Sequence, residues 1–422
     1  METSKRALCF VLAAFVTGVV LFVGEAPTAT AVPSFARKYK TSCQTCHVAF
    51  PKLNAFGRAF QANGYRFPAG QDPEMVKQER LPLGAEGYKK VFPKAVWPSD
   101  IAFFSPISAH MINRVNIQPD QVPKTEFEFP HELEVFWADT VGERFSYLAE
   151  IEIDEGELEF NGFLQYDASP AFHVRIGGID PQPEEFTEGR RLTAAHYNFA
   201  DIRGKSGGFR LRDGSAGLEV QGAINGSKDV GGLRYRAGIV NGDGRTDSNN
   251  AKDFFGGIDY KIGGMGVAGG PQQAGSEKPW VDNSVTVGIL GYSGKATYET
   301  DEGIEYNDKV TYLIGHVSAW VGDLNLLGVY SSQKNDNPSG NGRELKTKAW
   351  FVEADYVLYP WLIPILRYEN TEKGNADAVE MIVPAVSVLA RANIRFYAEG
   401  QIRMDDAGDK ADKYVVGVNW AF

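Results

Sequence analysis

Lys413-Tyr414-Val415-Val416-Gly417-Val418-Asn419-Trp420-Ala421-Phe422 closes the chain, and its alternation decides the fold. Tyr414, Val416, Val418, Trp420 and Phe422 fall on one face; Lys413, Val415, Gly417 and Asn419 fall on the other. Side chains of an extended strand point alternately to opposite faces, so a period of two over about ten residues marks a strand. An apolar, aromatic-rich face set against a polar or small one is the pattern of a strand in a membrane barrel.

Working back toward the N-terminus, the pattern recurs. In 132–139, Leu133, Val135 and Trp137 oppose Glu132 and Glu134. In 145–154, Tyr147, Ala149, Ile151 and Ile153 oppose Ser146, Glu150, Glu152 and Asp154. Leu158, Phe160, Leu164 and Tyr166 oppose Glu157, Glu159, Asn161 and Gln165, and Trp350, Val352, Ala354 and Tyr356 oppose Glu353 and Asp355. About sixteen such stretches are read, an even number that suits an all-β transmembrane barrel of antiparallel strands. They begin near Ile107, Glu132, Phe145, Glu157, Phe172, Gly217, Leu233, Asp253, Ser284, Lys309, Leu324, Lys346, Leu362, Val379, Ala392 and Lys413.

The connections alternate between tight ones, such as Gly322-Asp323 and Tyr359-Pro360-Trp361, and long polar ones, 181–208, 242–250, 294–308 and 333–344. Short periplasmic turns and long outer loops produce this rhythm and place both termini on the periplasmic side. The connection 263–283 breaks it, being long where a short turn belongs; a missed strand pair and an insertion are both open. A soluble β-sandwich or propeller would also alternate. The loop rhythm, the terminal Phe422 and an export signal favour the barrel.

That signal occupies 1–31. Lys5 and Arg6 precede an apolar run over 7–23, and Ala29-Thr30-Ala31 supplies a small-residue cleavage site, so the segment reads as a cleaved signal peptide that takes Cys9 with it. The net charge of −11 argues against a nucleic-acid partner. Of the three cysteines, Cys43 and Cys46 are left to the mature chain.

Those two stand in Cys43-Gln44-Thr45-Cys46-His47. Two thiols one turn apart can each form a thioether to a haem vinyl group, and the adjoining imidazole then falls under the iron as its proximal ligand. A zinc site would need a second ligand pair, and a thioredoxin-like pair a βαβ setting; neither is present. Residues 32–99 therefore read as a small α-helical c-type haem segment plus linker, and 100–422 as the barrel. Ser34 opens a first helix and Pro51 suits the first turn of a second, whose apolar stripe is Leu53, Phe56, Gly57 and Phe60. Gly57 would let the backbone approach a flat ring, and Gly64 would stop the helix. Chains below roughly 40 residues seldom fold unaided, so the haem segment is expected to seat in the lumen as a plug.

For the ligand across the iron, Met75 in the linker and His110 on the lumen face of the first strand are the candidates. Glu132, Glu134, Glu150, Glu152, Asp154, Glu157 and Glu159 would line one acidic arc. Carboxylates concentrated in a low-dielectric wall attract cations and suit ions such as Fe(II), so they form a candidate cation path. A basic arc of Arg175, Arg234 and Arg236, with Arg395 and Arg403 near Glu399, supports the alternative of simple transverse polarity that keeps a pore wet.

Pro33-Ser34-Phe35-Ala36-Arg37, Cys43-Gln44-Thr45-Cys46-His47, Pro51-Lys52-Leu53-Asn54-Ala55-Phe56-Gly57 and Gly64-Tyr65 together resemble the fused monohaem cytochrome c–porin family, the outer-membrane iron oxidases of iron-oxidising bacteria. The specific motif lies within 33–65; the remainder matches as a porin of about sixteen strands. The resemblance implies one covalent haem c, with Cys43 and Cys46 as thioether residues and His47 as proximal ligand. It implies an oxidoreductase of the outer membrane that takes electrons from extracellular Fe(II) and hands them to a periplasmic cytochrome or other carrier. The same architecture leaves open electron export to an extracellular acceptor, and a solute porin with a haem-bearing gate.

Overall fold

The computed structural model describes residues 34–76, 80–81, 86–95, 101–102, 106–154, 157–200, 211, 214–242, 249–270, 278–299, 305–404 and 412–422. The proposed signal peptide lies outside them. Sixteen antiparallel strands close into a barrel: Ile107–Ile117, Thr125–Val141, Phe145–Asp154, Glu157–Ser169, Phe172–Ile179, Ser215–Asn225, Val230–Val240, Asp253–Met265, Ser284–Glu299, Glu305–Val321, Leu324–Asn335, Leu345–Tyr356, Leu362–Lys373, Val379–Arg391, Ile394–Arg403 and Lys413–Ala421. Each pairs with its neighbour in sequence, and the last closes on the first, with Tyr414 opposite Ile117 and Ala421 opposite His110. Phe422 extends the seam by exchanging both backbone hydrogen bonds with Ala109, at 2.8 and 2.9 Å. Closure leaves no open sheet edge, the condition for β-structure in hydrocarbon.

The two faces are inverted relative to a soluble sandwich. Leu158, Phe160, Ile176, Ile262 and Val352 stand more than half exposed on the outside, whereas Gln165, Glu219, Asn325, Ser331, Glu353 and Arg367 are buried inside. An apolar band wrapped around a polar interior belongs to a wall solvated by lipid.

The largest departures from the expected boundaries fall in two places. The second strand starts at Thr125, seven residues before the expected Glu132; its early part alternates Glu126 and Glu128 with Phe127 and Phe129, and Pro130 masks the continuity. The hairpin pairing Ser284 with Trp320 runs on to Glu299 opposite Glu305, so most of the expected 294–308 loop is strand.

The N-terminal segment is a compact unit of a helix Ser34–Tyr39, a 3-10 turn Cys43–Thr45, a hairpin of His47–Ala49 with Lys52–Leu53, and a helix Ala55–Ala62. Pro51 thus sits in the hairpin turn rather than the second helix. That helix starts four residues later because Asn54 caps it, accepting from the Gly57 N–H at 2.9 Å. Tyr39, Phe56, Phe60 and Phe67 form its aromatic core.

This unit plugs the mouth of the barrel at the short-turn end. Lys38 bonds Asp139 at 2.9 Å and Thr140 at 3.0 Å; Lys52 pairs with Asp355; Arg66 reaches Asp167 at 2.8 Å; Gln44 donates to the Pro360 carbonyl at 3.0 Å. Val48 and Ala49 pack with Trp280, Trp320, Val357 and Ile363. The anomalous connection 263–283 now has its reason. Asn63 donates to the Ala268 carbonyl at 2.7 Å and Trp280 shares a buried cluster with Val48 and Ala49, so the described ends of the insertion, 263–270 and 278–283, pack on the plug. Lys52 and Asp355 are both buried, and removing one partner strands the other charge. Asp355→Ala is expected to destabilise the seated plug by about 3–5 kcal/mol, measured as earlier proteolytic release of the N-terminal segment than in the parent protein.

From the opposite end, the described stretch 180–200 of the connection after Phe172–Ile179 folds into the lumen instead of standing outside. Arg367 clamps it, donating to Thr193 Oγ1 and the Ala195 carbonyl, each at 2.9 Å; Glu399 accepts from the Ala194 and Ala195 N–H groups at 2.6 and 2.8 Å. The wall's buried charges thereby satisfy a backbone that makes no sheet of its own. This inward loop meets the plug through Arg58 and Glu185 at 2.9 Å and through Arg190 and Gln61 at 3.0 Å.

Candidate functional site

Between plug, inward loop and wall lies a cavity of about 780 Å³. Cys43, Cys46, His47, Phe50, Gly57 and Phe60 line it from the plug, and Tyr197, Arg190 and Arg191 from the loop. His110, Glu132, Glu134, Glu150, Glu152 and Glu159 line it from the wall. The volume falls in the range of pockets that enclose whole cofactors.

Local structure brings the two thiols and the imidazole to one side of this cavity. Ser42 caps the 3-10 turn, accepting from the Gln44 N–H at 3.3 Å. Asn54, almost wholly buried, clamps the turn to the following helix: its Nδ2 donates to the Gln44 and Thr45 carbonyls, both at 3.1 Å, and its N–H to the Cys46 carbonyl at 2.9 Å. Sequence reasoning missed Asn54, although an Asn directly before Ala-Phe-Gly-Arg is an N-cap signal. Asn54→Ala removes the side-chain partner of the Gln44 and Thr45 carbonyls and of the Gly57 N–H, and is expected to cost about 1–3 kcal/mol, measured as a lower temperature for loss of the plug's helical signal.

Gly57 has a packing role as well as a place in the cavity lining. A Cβ there would collide with the Cys46 carbonyl, so the glycine lets the helix lie directly on the Cys-x-x-Cys turn. Gly64, at φ 65°, does end the helix and packs against Asp167.

The residues fit a c-type haem. Cys43 and Cys46 form no disulfide. Burial pushes their thiols up to about 11 and about 12, away from the thiolate character of a reactive redox pair. His47 Nδ1 lies 3.0 Å from the Pro51 carbonyl. Donation of Nδ1–H to that carbonyl fixes the tautomer and leaves Nε2 as a ligand atom, the usual support of a metal-bound histidine. Burial, reinforced by Arg190, lowers the His47 pKa to about 4, which keeps the ring neutral as ligation requires. A haem attached here would supply a one-electron carrier, and the chain's part is to hold it, orient its proximal ligand and surround it with protein.

The other expected residues divide clearly. His110 faces the cavity, whereas Met75 packs on the plug's own aromatic core and is absent from the lining. Five carboxylates of the proposed cation path, Glu132, Glu134, Glu150, Glu152 and Glu159, line the cavity wall. Asp154 and Glu157 occupy the facing strand ends, and their side chains lie outside the described set. The basic arc is neutralised from within: Arg175 and Arg236 meet Glu219, at 3.5 and 2.6 Å, and Arg234 meets Glu184 at 3.5 Å.

Glu185, where loop and plug meet, is held below the ordinary glutamate range; burial opposes ionisation, but Arg58 and the Ser318 hydroxyl outweigh it. A depressed carboxyl pKa stabilises above the unfolded value and loses that contribution as pH falls through the folded one. The loop–plug contact is therefore expected to be fully present at neutral pH and lost only in acid below the usual glutamate range, a shift that Glu185→Gln should abolish in pH-dependent proteolysis.

No family model and no curated protein sequence matches this chain. Among solved structures, OmpT of Vibrio cholerae in its trimer form is similar with a TM-score of 0.49 at 13% identity, over 75% of this chain and 98% of that one. OmpF of Salmonella typhi is similar with a TM-score of 0.48 at 11% identity, over 75% and 97%. The anion-selective porin from Comamonas acidovorans is similar with a TM-score of 0.52 at 12% identity, over 75% of this chain and 98% of that one. That last likeness establishes the fold, and the fold is that of a porin-type barrel.

Proposed function

We propose that this protein is an outer-membrane electron conduit. A single haem c on Cys43, Cys46 and His47 takes electrons from extracellular Fe(II) and passes them to a periplasmic carrier, as in the fused cytochrome–porins that the N-terminal motif resembles. The observation that carries this reading is the placement of both thiols and the His47 imidazole on one cavity inside a barrel filled from both ends. A barrel's apolar band is about 25 Å tall, so a redox centre in the lumen approaches both aqueous sides, which one lying wholly in the periplasm would not. The filled lumen argues against free solute passage, and the acidic wall draws a cationic donor inward. In the reaction Fe(II) gives up one electron and becomes Fe(III), and the periplasmic carrier is reduced by one.

Anaerobic mixing of the oxidised, haem-loaded protein with Fe(II) tests the proposal. Growth of the reduced α-band is expected; a haem that stays oxidised with excess Fe(II) sinks it. A haem potential far below that of the Fe(III)/Fe(II) couple would turn the direction to export.

A further inference from the structure

Two imidazoles reach the cavity from different parts of the molecule, His47 from the plug and His110 from the wall. His110 lies on the first strand, where the barrel closes, opposite Ala421 on one side and Glu134 on the other. Phe50 packs against both rings, its centre 5.3 Å from that of His47 and 4.8 Å from that of His110. The two imidazole centres are therefore no farther apart than those distances added, about 10 Å. Two imidazoles on one iron, with metal–nitrogen bonds of about 2 Å, have centres roughly 6 Å apart. At most a few ångströms of movement, in which the half-buried Phe50 ring turns aside, spans the difference.

The state of the His110 ring points the same way. His110 is 4% exposed, and Glu134 engages its Nδ1. Donation of Nδ1–H to that carboxylate leaves the ring neutral, with a lone pair on Nε2, which points away from Glu134. This Nε2 is buried and meets no hydrogen-bond partner among the described residues. A buried nitrogen left unsatisfied is costly, and an ion absent from the coordinates is one of the ordinary reasons for it. An imidazole with one nitrogen held by a carboxylate and the other unused is the state of metal-bound histidines. His47 is built the same way, with the Pro51 carbonyl in the carboxylate's place. Met75, by contrast, packs on the plug's own aromatic core, and His131 pairs with Glu128 at 3.1 Å.

We propose that His110 is the axial ligand across the iron from His47, so that one haem joins the plug to the wall. The inference rests on the function proposed above and adds to it the second ligand and a mechanical role. His110 gives the Nε2 lone pair to the iron while its proton stays on Nδ1, toward Glu134; no electron changes hands in this step. Glu134 is a positioning residue that sets the tautomer and aims the ring. The plug's other ties to the barrel include ion pairs such as Lys38 with Asp139 and Arg66 with Asp167. A ligand bond from the wall adds to these only when haem is present, so haem stabilises the seated plug.

Ferric, haem-loaded, full-length protein in detergent is read by electron spin resonance and near-infrared magnetic circular dichroism. The low-spin signature of two imidazoles is expected. His110→Ala should turn the iron high-spin, and added imidazole should restore the low-spin state, while far-ultraviolet circular dichroism still reports the barrel. Haem loading should slow proteolytic release of the plug several-fold in the parent and not in His110→Ala. A parent spectrum of the high-spin or methionine-ligated type overturns the inference without any variant. So does a low-spin spectrum that survives His110→Ala or is lost instead in His131→Ala or His196→Ala, and so does equal haem protection of parent and variant. Any of these results in a protein that attaches haem and is reduced by Fe(II) sinks this inference alone. A two-imidazole spectrum that Fe(II) does not reduce sinks the donor and leaves His110 in place, and failure to attach haem at Cys43 and Cys46 sinks both.

Discussion

A chain carrying Cys43→Ser and Cys46→Ser is expected to form the same barrel, hold no covalent haem, and lose Fe(II)-driven haem reduction altogether. The expectation is this severe because both thioethers come from these two residues and no other cysteine lies among the described ones. Serine keeps the size and the turn, and the hydrogen bonds of Ser42 and Asn54 that shape the turn do not involve the thiols. The check is in-gel haem staining together with the mass of the mature chain. His47→Ala should separate attachment from ligation: the thioethers can still form, but the proximal ligand is gone, and both the spectrum and the reduction by Fe(II) should collapse. A double serine variant that still stained for haem would remove the basis of the functional proposal.

Removing residues 34–76 is expected to turn a nearly closed barrel into a conducting one. Sixteen-stranded walls enclose an aqueous channel unless something fills it. Here the plug occupies the short-turn mouth, and the inward loop, tied by Arg367 and Glu399, occupies the lumen from the other side. In planar bilayers the full chain should pass little current, and the deletion should pass several-fold more. The remaining loop should still keep the variant below an open porin. Equal, large conductance with and without the segment would favour the solute-porin alternative.

Much of this was readable in the chain because a barrel wall meets lipid on one side and water on the other. That contrast stamps a period of two on every strand, so most of the sixteen, Lys413–Ala421 among them, start within a few residues of where the alternation begins, and Phe422 is part of the seam. The reading failed where local pattern and tertiary demand part company. The alternation stands out only from Glu132 because Pro130 interrupts the strand that starts at Thr125 and its early part carries carboxylates. The hairpin ending at Glu299 and Glu305 was cut short because polar residues in that part resemble a loop. Pro51 suits the first turn of a helix by residue type, whereas the hairpin His47–Ala49 with Lys52–Leu53 holds it and Asn54 provides the cap. The insertion 263–283 has no reason in its own residues, since its described ends pack on the plug. For the site, Cys43, Cys46 and His47 announce themselves by spacing. That His110 stands opposite Glu134 needs the register between two strands, which no one stretch of sequence contains.

The most direct measurement puts the two sides of the membrane apart. Haem-loaded protein is reconstituted into liposomes that contain an oxidised cytochrome c, and Fe(II) is added outside under anaerobic conditions. The account predicts that the enclosed cytochrome is reduced while the vesicles retain a trapped small dye, and that the Cys43→Ser, Cys46→Ser protein reduces none. Reduction of the enclosed cytochrome at the same rate by that haem-free variant, or no reduction by the loaded protein, would contradict it.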